Sequence, residues 1–320
     1  MTSGGKAQHR NSHLRRCTMV DVQTHDSVIG FVGLGPMGRG MARNIVSKGG
    51  HLIVLGHKRR APVEELIGLG ASEAGSAAEL GRQCDVVFLC LPSSRQVEEI
   101  VLGAGGLAES LGTGSLLIDC TTSEPGSTLK IAAILAAKGI RFIDAPLTRT
   151  SRDADAGRLN VLVGGAEADI KAAKPFIAYF AENIFPIGPI ASAHKLKLIN
   201  NFMTIGCSAV VIEAVAAARK LGVDTQALFK VVSVGGANSG AFQMIMPWVN
   251  EREMKFQFSV ANAAKDIGYL AAATEPGVMG RAVATVMADA IAAGLSEAAI
   301  PQLTDEPRPS ARGRELMLGD

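Results

Sequence analysis

The chain has 320 residues, a length sufficient for two domains that each bury a core. It carries 32 Lys and Arg against 30 Asp and Glu, with 4% aromatic residues, which argues against a nucleic-acid binder with a basic, stacking surface. The longest uncharged apolar stretch, Leu198 to Ile212, contains two asparagines and is shorter than the ~20 residues of a membrane span. We therefore expect that the protein binds neither nucleic acid nor a membrane and that it is located in the cytoplasm.

Five cysteines lie far apart, without a CxxC pair or a histidine at metal-ligand spacing. This spacing predicts small buried side chains in a reducing compartment and no metal site. The cysteines are Cys17, Cys84, Cys90, Cys120 and Cys207.

The basic, acid-free start of the chain, Met1 to Val20, lacks the apolar core of a secretory signal. Residues 1–26 are predicted to form a disordered tail. A transit peptide and a translated leader ahead of Met19 are the alternatives. From residue 27 to 190, short apolar runs alternate with helical patterns, which indicates a doubly wound Rossmann α/β domain with a mostly parallel sheet covered on both faces. The predicted strands span residues 28–32, 52–55, 86–91, 116–118, 141–143 and 161–163.

After Pro189 the pattern becomes helical. A long helix is predicted from Ala193 to Leu221 as the interdomain helix, and residues 191–300 are predicted to form an all-helical C-terminal domain. This domain is expected to supply the dimerisation surface and part of the substrate pocket. Residues 301–320, rich in Pro and charge, are predicted to be loosely ordered. The further predicted helices span residues 225–232, 241–249, 260–273 and 278–293.

A GxGxxG turn directly follows the first predicted strand and opens a helix. In that context Gly33 permits a tight turn, Gly35 lets a pyrophosphate approach the backbone, and Gly38 allows close helix–strand packing. A purely structural turn is the alternative. The candidate cofactor-binding residues of this turn are Gly33, Leu34, Gly35, Pro36, Met37 and Gly38.

The segment after the second predicted strand is basic. NAD enzymes usually place an Asp or Glu there to bind the ribose 2′-hydroxyl. Here His57, Lys58 and Arg59 follow Gly56, and the next acidic residue is Glu64. Cations at this position would bind a 2′-phosphate, so the sequence favours NADP(H) over NAD(H) as cofactor. A solvated basic loop is the alternative.

The interdomain helix carries a polar stripe. Lys197, Asn200, Asn201 and Thr204 share one face at helical spacing among apolar neighbours. Such groups are costly to bury unless they meet partners or a polar ligand. A lysine amine can donate a proton to a forming alkoxide, particularly if burial lowers its pKa. The alternative is a helix face that touches solvent at the domain junction.

The chain resembles the β-hydroxyacid dehydrogenase family (3-hydroxyisobutyrate dehydrogenase and its relatives) over roughly residues 27–294. The resemblance rests on four segments in order: FVGLGPMG at 31–38, DAPLTRT at 144–150, KLINN at 197–201 and FSVANAAKD at 258–266. It implies hydride transfer between a nicotinamide cofactor and a small anionic hydroxyacid or semialdehyde, in a homodimer or homotetramer.

The resemblance also implies residue roles. Lys197 would be the catalytic acid/base, with Asn201 beside it, and Thr148 stands where the family has a substrate-binding serine. The cofactor would also be lined by Leu91, Pro92, Thr122 and Lys265. A surface ion pair between Lys265 and Asp266 is the alternative for that lysine.

One departure concerns the substrate pocket, where Thr148-Arg149-Thr150 replaces the family's Ser-Gly-Gly. Arg149 could bind a carboxylate or sulfonate bidentately, with Thr148, Thr150, Asn200 and Thr204 as further substrate contacts. The stretch resembles the sulfolactaldehyde reductase branch of the family. Alternatively, Arg149 points outward and pairs with Asp153 or Asp155.

Three other functions remain open at this point. One is oxidation of a 3-hydroxyacid such as 3-hydroxyisobutyrate, and another is imine reduction on a related fold, against which Lys197 and the DAP segment speak. The third, from a different class, is a non-catalytic nucleotide-binding scaffold, which the retained Lys197 disfavours.

Overall fold

A computed structural model describes residues 27–305 of the chain, so the predicted tail over 1–26 and most of the predicted tail over 301–320 lie outside the described residues. The strands are β1 (Val28–Val32), β2 (His51–Leu55), β3 (Ser72–Ala74), β4 (Val86–Leu89), β5 (Leu116–Asp119), β6 (Arg141–Asp144), β7 (Leu147–Thr148), β8 (Leu159–Gly164) and β9 (Ala181–Gly188). The helices of the first half are α1 (Pro36–Ser47), α2 (Ala61–Gly68), α3 (Ala77–Gln83), α4 (Ser94–Leu102), α5 (Leu107–Ser110), α6 (Pro125–Ala137), α7 (Ser151–Asp155) and α8 (Glu167–Ile177). Those of the second half are α9 (Ser192–Lys220), α10 (Thr225–Ser233), α11 (Gly240–Glu251), α12 (Val260–Ala273), α13 (Val278–Ala292) and a 3₁₀ helix, η1 (Ile300–Thr304).

The strands form one mixed sheet in the order β3-β2-β1-β4-β5-β6-β8-β7, with β9 paired to β8. Strands β1 to β6 run parallel, and β8 is antiparallel to β6. Successive residues of β1 contribute to different cores, Phe31 on one face and Val32 on the other, because strand side chains alternate. The predicted doubly wound Rossmann architecture, with a mostly parallel sheet, is confirmed.

The sequence missed three strands and overextended one. Strands β3 and β7 have only three and two residues, and β9 contains Pro186 with several exposed positions, so none shows a buried apolar run. The strand predicted to reach residue 91 ends at Leu89 instead. Leu91 already donates its backbone N–H to Thr121 Oγ1, at 3.0 Å, rather than to a neighbouring strand.

Helix α9 joins the sheet to the helical part of the chain and confirms the predicted long helix. Its 29 residues span about 43 Å at 1.5 Å per residue. An 18-residue window has a mean hydropathy of 1.6, enough for a membrane span by length and composition, but a core helix meets the same test. Buried residues along α9, including Ile205 and Val215, pack into a third core with α11, α12 and α13.

The first residues of the tail that was predicted to be loosely ordered, 301–304, belong instead to the 3₁₀ helix η1. Ile300 and Leu303 of η1 are buried, and Arg219 of α9 donates a hydrogen bond to the Thr304 carbonyl. The apolar residues at i and i+3 place one face of this turn in the third core.

The cysteine prediction holds in part. Cys84 and Cys120 are buried and Cys90 is half-buried, but Cys207 is exposed on α9, and Cys17 lies outside the described residues. Burial raises the pKa of the Cys84 and Cys90 thiols to about 12, which keeps both protonated.

Candidate active site

The glycine-rich turn lies between β1 and α1, as the sequence predicted. Gly33 has φ +101°, and a Cβ there would collide with the Cys90 carbonyl oxygen, while a Cβ on Gly38 would collide with the Gly33 carbonyl oxygen. Gly35, the N-cap of α1, faces open space. Two glycines therefore close the turn, and the third leaves the helix N-terminus accessible. This arrangement fits the pyrophosphate of a dinucleotide.

The remaining residues of the glycine-rich turn, Leu34, Pro36 and Met37, support its backbone. Pro36 occupies the first turn of α1, where its missing N–H costs no hydrogen bond. Leu34 and Met37 are half-buried and pack against the core on one face of the sheet. These apolar contacts fix the backbone that would bind the phosphates.

The basic segment follows β2 at the carboxyl edge of the sheet. His57, Lys58 and Arg59 are exposed. Arg60 differs from them, because its guanidinium binds both carboxylate oxygens of Glu73, with N–O distances of 2.6 and 2.8 Å. Arg60 is therefore a paired cation, and the three residues predicted to bind the cofactor, His57, Lys58 and Arg59, lie exposed before it.

The loops after β4 and β5 meet beside the glycine-rich turn. The Thr121 hydroxyl accepts the Leu91 N–H, and Asp119 Oδ1 accepts the Thr121 N–H at 2.9 Å. Asp119 is buried, and desolvation raises the pKa of its carboxyl group. These bonds hold the loop with Leu91 and Pro92 next to the loop with Thr122, as the cofactor assignment requires.

Lys265 of α12 connects the helical part of the chain to both loops. Its Nζ donates to the Pro92 carbonyl at 2.7 Å, lies 3.4 Å from the Thr122 carbonyl, and is 3.2 Å from Asp266 Oδ1. Asp266 is only 2% exposed. The Lys265–Asp266 ion pair offered as the alternative is therefore present, but its carboxylate is buried and does not lie at the surface.

Tyr269, one turn further along α12, accepts the Ser94 N–H at 3.2 Å through its hydroxyl oxygen. The Lys265 ammonium lies over its ring, 5.4 Å from the centroid. Together Lys265 and Tyr269 link α12 to the residues that follow β4.

Lys197 of α9 is half-buried next to these groups. Burial lowers the pKa of its ammonium group to about 8; the negative charge of Asp266 opposes this shift, and the positive charge of Lys265 adds to it. An amine with this pKa can serve as a proton donor or as a proton acceptor near neutral pH.

The polar stripe on α9 is held by a chain of hydrogen bonds. Asn201 is buried and donates to Asp266 Oδ2 at 2.6 Å, and Asn200 donates to Asn201 Oδ1 at 3.3 Å. Thr204 donates to the Asn200 carbonyl, 3.0 Å away within the same helix. Asn201 therefore points at the carboxylate that also faces both lysines, whereas the Thr204 hydroxyl proton is engaged inside α9.

The segment Thr148-Arg149-Thr150 is arranged differently from the sequence expectation. Arg149 has φ +81°, the left-handed region that favours the glycine of the family pattern, and its guanidinium pairs with Glu182 of β9. The guanidinium is therefore engaged by a neighbouring strand, which is not the free anion-binding group that the sequence led us to expect. Asp155, an alternative partner, pairs with Arg43 instead.

The two threonines of this segment also have distinct positions. Thr150 is the N-cap of α7, and its hydroxyl exchanges hydrogen bonds with Asp153 in a capping box, so it is engaged locally rather than free for substrate. Thr148 is half-buried on β7 opposite Asn160. The substrate-binding role of Thr148 stays a prediction.

The sequence predicted no site role for the three carboxylates that organise the site, although two of them, Asp144 and Asp266, lie in the motifs quoted above. Asp266 lies on the buried face of α12 with Ala263 and Ile267, a spacing that could have identified it. Asp119 and Asp144 are the final residues of adjacent parallel strands, and a shared sheet edge follows from that pattern.

Asp144 anchors the start of α9. Its carboxylate oxygens accept the backbone N–H groups of Ala191 and His194, each at 2.8 Å. The buried His194 ring lies 2.7 Å, through Nδ1, from Thr128 Oγ1 of α6. These contacts fix the helix one turn before Lys197.

Comparison with known proteins gives matches over most of the described chain. Residues 28–188 match the NAD binding domain of 6-phosphogluconate dehydrogenase, and residues 191–304 match the NAD-binding family of NADP-dependent 3-hydroxyisobutyrate dehydrogenase. A 3-hydroxyisobutyrate dehydrogenase from Pseudomonas aeruginosa is 34% identical over 220 residues, which cover 69% of this chain and 74% of the relative.

Two further relatives show the same likeness. A 3-sulfolactaldehyde reductase from Escherichia coli is 32% identical over 243 residues, covering 76% of this chain and 81% of the relative. The solved structure of Mycobacterium tuberculosis 3-hydroxyisobutyrate dehydrogenase with L-serine superimposes with a TM-score of 0.78 at 25% identity, covering 87% of this chain and 98% of that one.

Proposed function

Because the chain belongs to the β-hydroxyacid dehydrogenase family, and is therefore an NAD(P)-dependent oxidoreductase that acts on small hydroxyacids, we propose that it is an NADPH-dependent reductase of a small anionic semialdehyde. The anionic group is a carboxylate or a sulfonate. The observation that carries this proposal is the half-buried Lys197 amine, whose pKa is lowered to about 8 beside Asp266, Asn201 and Lys265.

The choice of NADP(H) over NAD(H) is supported by charge. His57, Lys58 and Arg59 are exposed immediately after β2, where the adenosine ribose binds in Rossmann domains. Lysine and arginine there attract a 2′-phosphate through charge-assisted hydrogen bonds.

In the reductive direction, a nicotinamide cofactor held at the turn from Gly33 to Gly38 would supply the hydride for the carbonyl carbon of the substrate. Lys197, as the ammonium, donates a proton to the carbonyl oxygen, and the aldehyde becomes the alcohol. Asn201, fixed by Asp266, keeps this end of α9 in position. Thr148 and Asn200 hold the acid group of the substrate. Arg149 is left out of this set, because its guanidinium is paired with Glu182.

Oxidation of a 3-hydroxyacid is the second candidate. A Lys197 pKa of about 8 gives the neutral amine in substantial amount at mildly alkaline pH, where it can accept the proton of the substrate hydroxyl. The membership of the chain in a dehydrogenase family argues against the non-catalytic scaffold. We further propose a cytoplasmic homo-oligomer.

The test is NADPH consumption by the purified full chain with sulfolactaldehyde and with succinic semialdehyde, and with NADH in parallel. We expect reduction of at least one aldehyde and faster turnover with NADPH. Preference for the sulfonate would place the enzyme with the sulfolactaldehyde reductases, and preference for the carboxylate with the semialdehyde reductases. If neither aldehyde reacts, the substrate proposal is wrong, and faster turnover with NADH contradicts the cofactor proposal.

The role of Lys197 has a separate test. The Lys197→Ala variant should lose about three orders of magnitude or more in kcat, since general acid catalysis and substrate placement are lost together. The NADPH dissociation constant, measured by fluorescence titration, should stay within about threefold, because Lys197 is placed at the substrate. Equal loss of binding and turnover would contradict this role.

A further inference from the structure

Glu73 of β3 places a carboxylate at the end of β2. The two strands are parallel, with Val54 opposite Glu73 and Leu55 opposite Ala74, so Gly56 is the first residue beyond the pairing. A Cβ on Gly56 would collide with Glu73 Oε1. The carboxylate thus fills the space that a side chain at position 56 would occupy.

This position has a defined role in Rossmann domains. An acidic residue at the end of the second strand binds the ribose 2′-hydroxyl of NAD and repels the 2′-phosphate of NADP. The segment from Gly56 to Arg60 contains no acidic residue, yet the structure brings a carboxylate there from the neighbouring strand. The residues from Gly56 to Arg60 therefore do not reveal the negative charge that Glu73 brings to the end of β2.

Arg60 covers that carboxylate. Its guanidinium donates two hydrogen bonds to Glu73, of 2.6 and 2.8 Å, and one guanidinium nitrogen would lie 2.9 Å from a Cβ on Gly56. The Arg60 guanidinium lowers the pKa of the Glu73 carboxyl, so Glu73 is ionised and paired near neutral pH. A planar bidentate pair of this kind is the strongest form of surface ion pair.

We propose that the Arg60–Glu73 pair determines the cofactor specificity: Arg60 neutralises a carboxylate at the 2′ position that would otherwise exclude NADP(H). This inference rests on the proposed binding of the adenosine ribose beyond β2. Arg60 acts in it through Glu73 and is a positioning and charge-balancing residue, whereas Lys58 and Arg59 remain the candidates for direct phosphate contact.

The test separates neutralisation of Glu73 from direct contact with the phosphate. Isothermal titration calorimetry on the full chain gives dissociation constants for ADP-ribose and for 2′-phospho-ADP-ribose, neither of which reacts. The proteins are the unmodified chain, Arg60→Gln, Glu73→Gln and the double variant. The quantity compared is the discrimination ratio, the affinity for the phosphorylated ligand divided by that for ADP-ribose.

Arg60→Gln should lower the discrimination ratio by about tenfold or more, because an unpaired carboxylate then faces the phosphate. Adding Glu73→Gln to that variant should restore the ratio to within about threefold of the unmodified chain, since the repelling charge is gone. A double variant as poor as Arg60→Gln alone would show that Arg60 binds the phosphate itself. A ratio unchanged in Arg60→Gln would show that the pair is only structural; either result overturns the proposal.

Lys255→Gln is the matched control, because it removes a cation that is paired with Glu253 at 3.1 Å in the helical part of the chain. Its discrimination ratio should equal that of the unmodified chain.

Different results would contradict the proposed NADPH preference and the proposed role of the Arg60–Glu73 pair. An unmodified chain that binds ADP-ribose more tightly would contradict the NADPH preference, whereas the fall and recovery of the ratio test the Arg60–Glu73 pair whatever its starting value.

Discussion

At the scale of single residues, we expect the charge state of Lys197 to control the pH dependence of both reaction directions. With a pKa of about 8, the ammonium form dominates below that pH and the neutral amine above it. We expect kcat/KM for aldehyde reduction to fall as pH rises through about 8, and kcat/KM for alcohol oxidation to rise through the same range. Steady-state rates from about pH 6 to 10 test this, and parallel profiles for the two directions would contradict it.

The neighbours of Lys197 should move this inflection in opposite directions. Asp266→Asn removes the negative charge that raises the pKa of Lys197, so the inflection should shift to lower pH by roughly half to one unit. Lys265→Met removes a positive charge that lowers it, so the inflection should shift to higher pH by a similar amount. Profiles of kcat at saturating cofactor show both shifts. Shifts of the same sign in the two variants would mean that Lys197 is not the titrating group.

The same lysine should cost the protein stability. A pKa lowered from 10.5 to about 8 means that the folded state binds this proton less tightly than the unfolded state. The resulting loss in the free energy of unfolding is present in full below about pH 8, and it disappears as the pH rises towards 10.5. Lys197→Met should therefore raise the free energy of unfolding by about 1–3 kcal/mol at pH 7, with a smaller gain at pH 10.

Urea unfolding at the two pH values measures this difference. Lys195→Met, at an exposed lysine of the same helix, serves as the control and should change stability by less than about 0.5 kcal/mol. A gain for Lys197→Met that is independent of pH would point to better packing instead of lost charge.

At the scale of elements, the sequence predicted those features that depend on local pattern. The glycine-rich turn between β1 and α1 followed from the spacing of Gly33, Gly35 and Gly38, and the long helix was predicted at 193–221, against the observed Ser192–Lys220. The directions of the side chains could not be predicted from the sequence, because they depend on contacts with elements far away in the chain. Arg149 turns to Glu182 of β9, a strand that the sequence did not indicate, and Asp266 is a buried partner of α9.

The strained position of Arg149 gives a prediction for the segment between β7 and α7. Arg149 has a φ of 81°, which a glycine adopts without strain, so Arg149→Gly relieves backbone strain but loses the ion pair with Glu182. Because these two effects oppose each other, the free energy of unfolding should change by no more than about 1 kcal/mol. KM for the anionic aldehyde should stay within about threefold, since this guanidinium is engaged elsewhere. A tenfold or larger rise in KM, measured in the same assay, would return Arg149 to the substrate pocket.

At the scale of the whole molecule, exposed apolar residues of the helical part predict self-association. Val210 of α9 is 58% exposed, and Val278 of α13 is 73% exposed. Burial of such side chains against a second copy is favourable by about 25 cal/mol per Å². We expect a homodimer or homotetramer in sedimentation velocity, and a shift towards monomer in Val210→Asp. A monomeric unmodified chain at micromolar concentration would contradict this expectation.

The anchoring of α9 by Asp144 limits how this fold can be recombined. A chimera that takes its sheet from one relative and its helices from another would join the two near residue 190. Asp144 would then come from one parent, and the Ala191 and His194 N–H groups that it binds would come from the other. A parent with another residue at position 144 would leave those donors buried without an acceptor. In such a chimera, the segment from Asp144 to His194 should therefore come from a single parent.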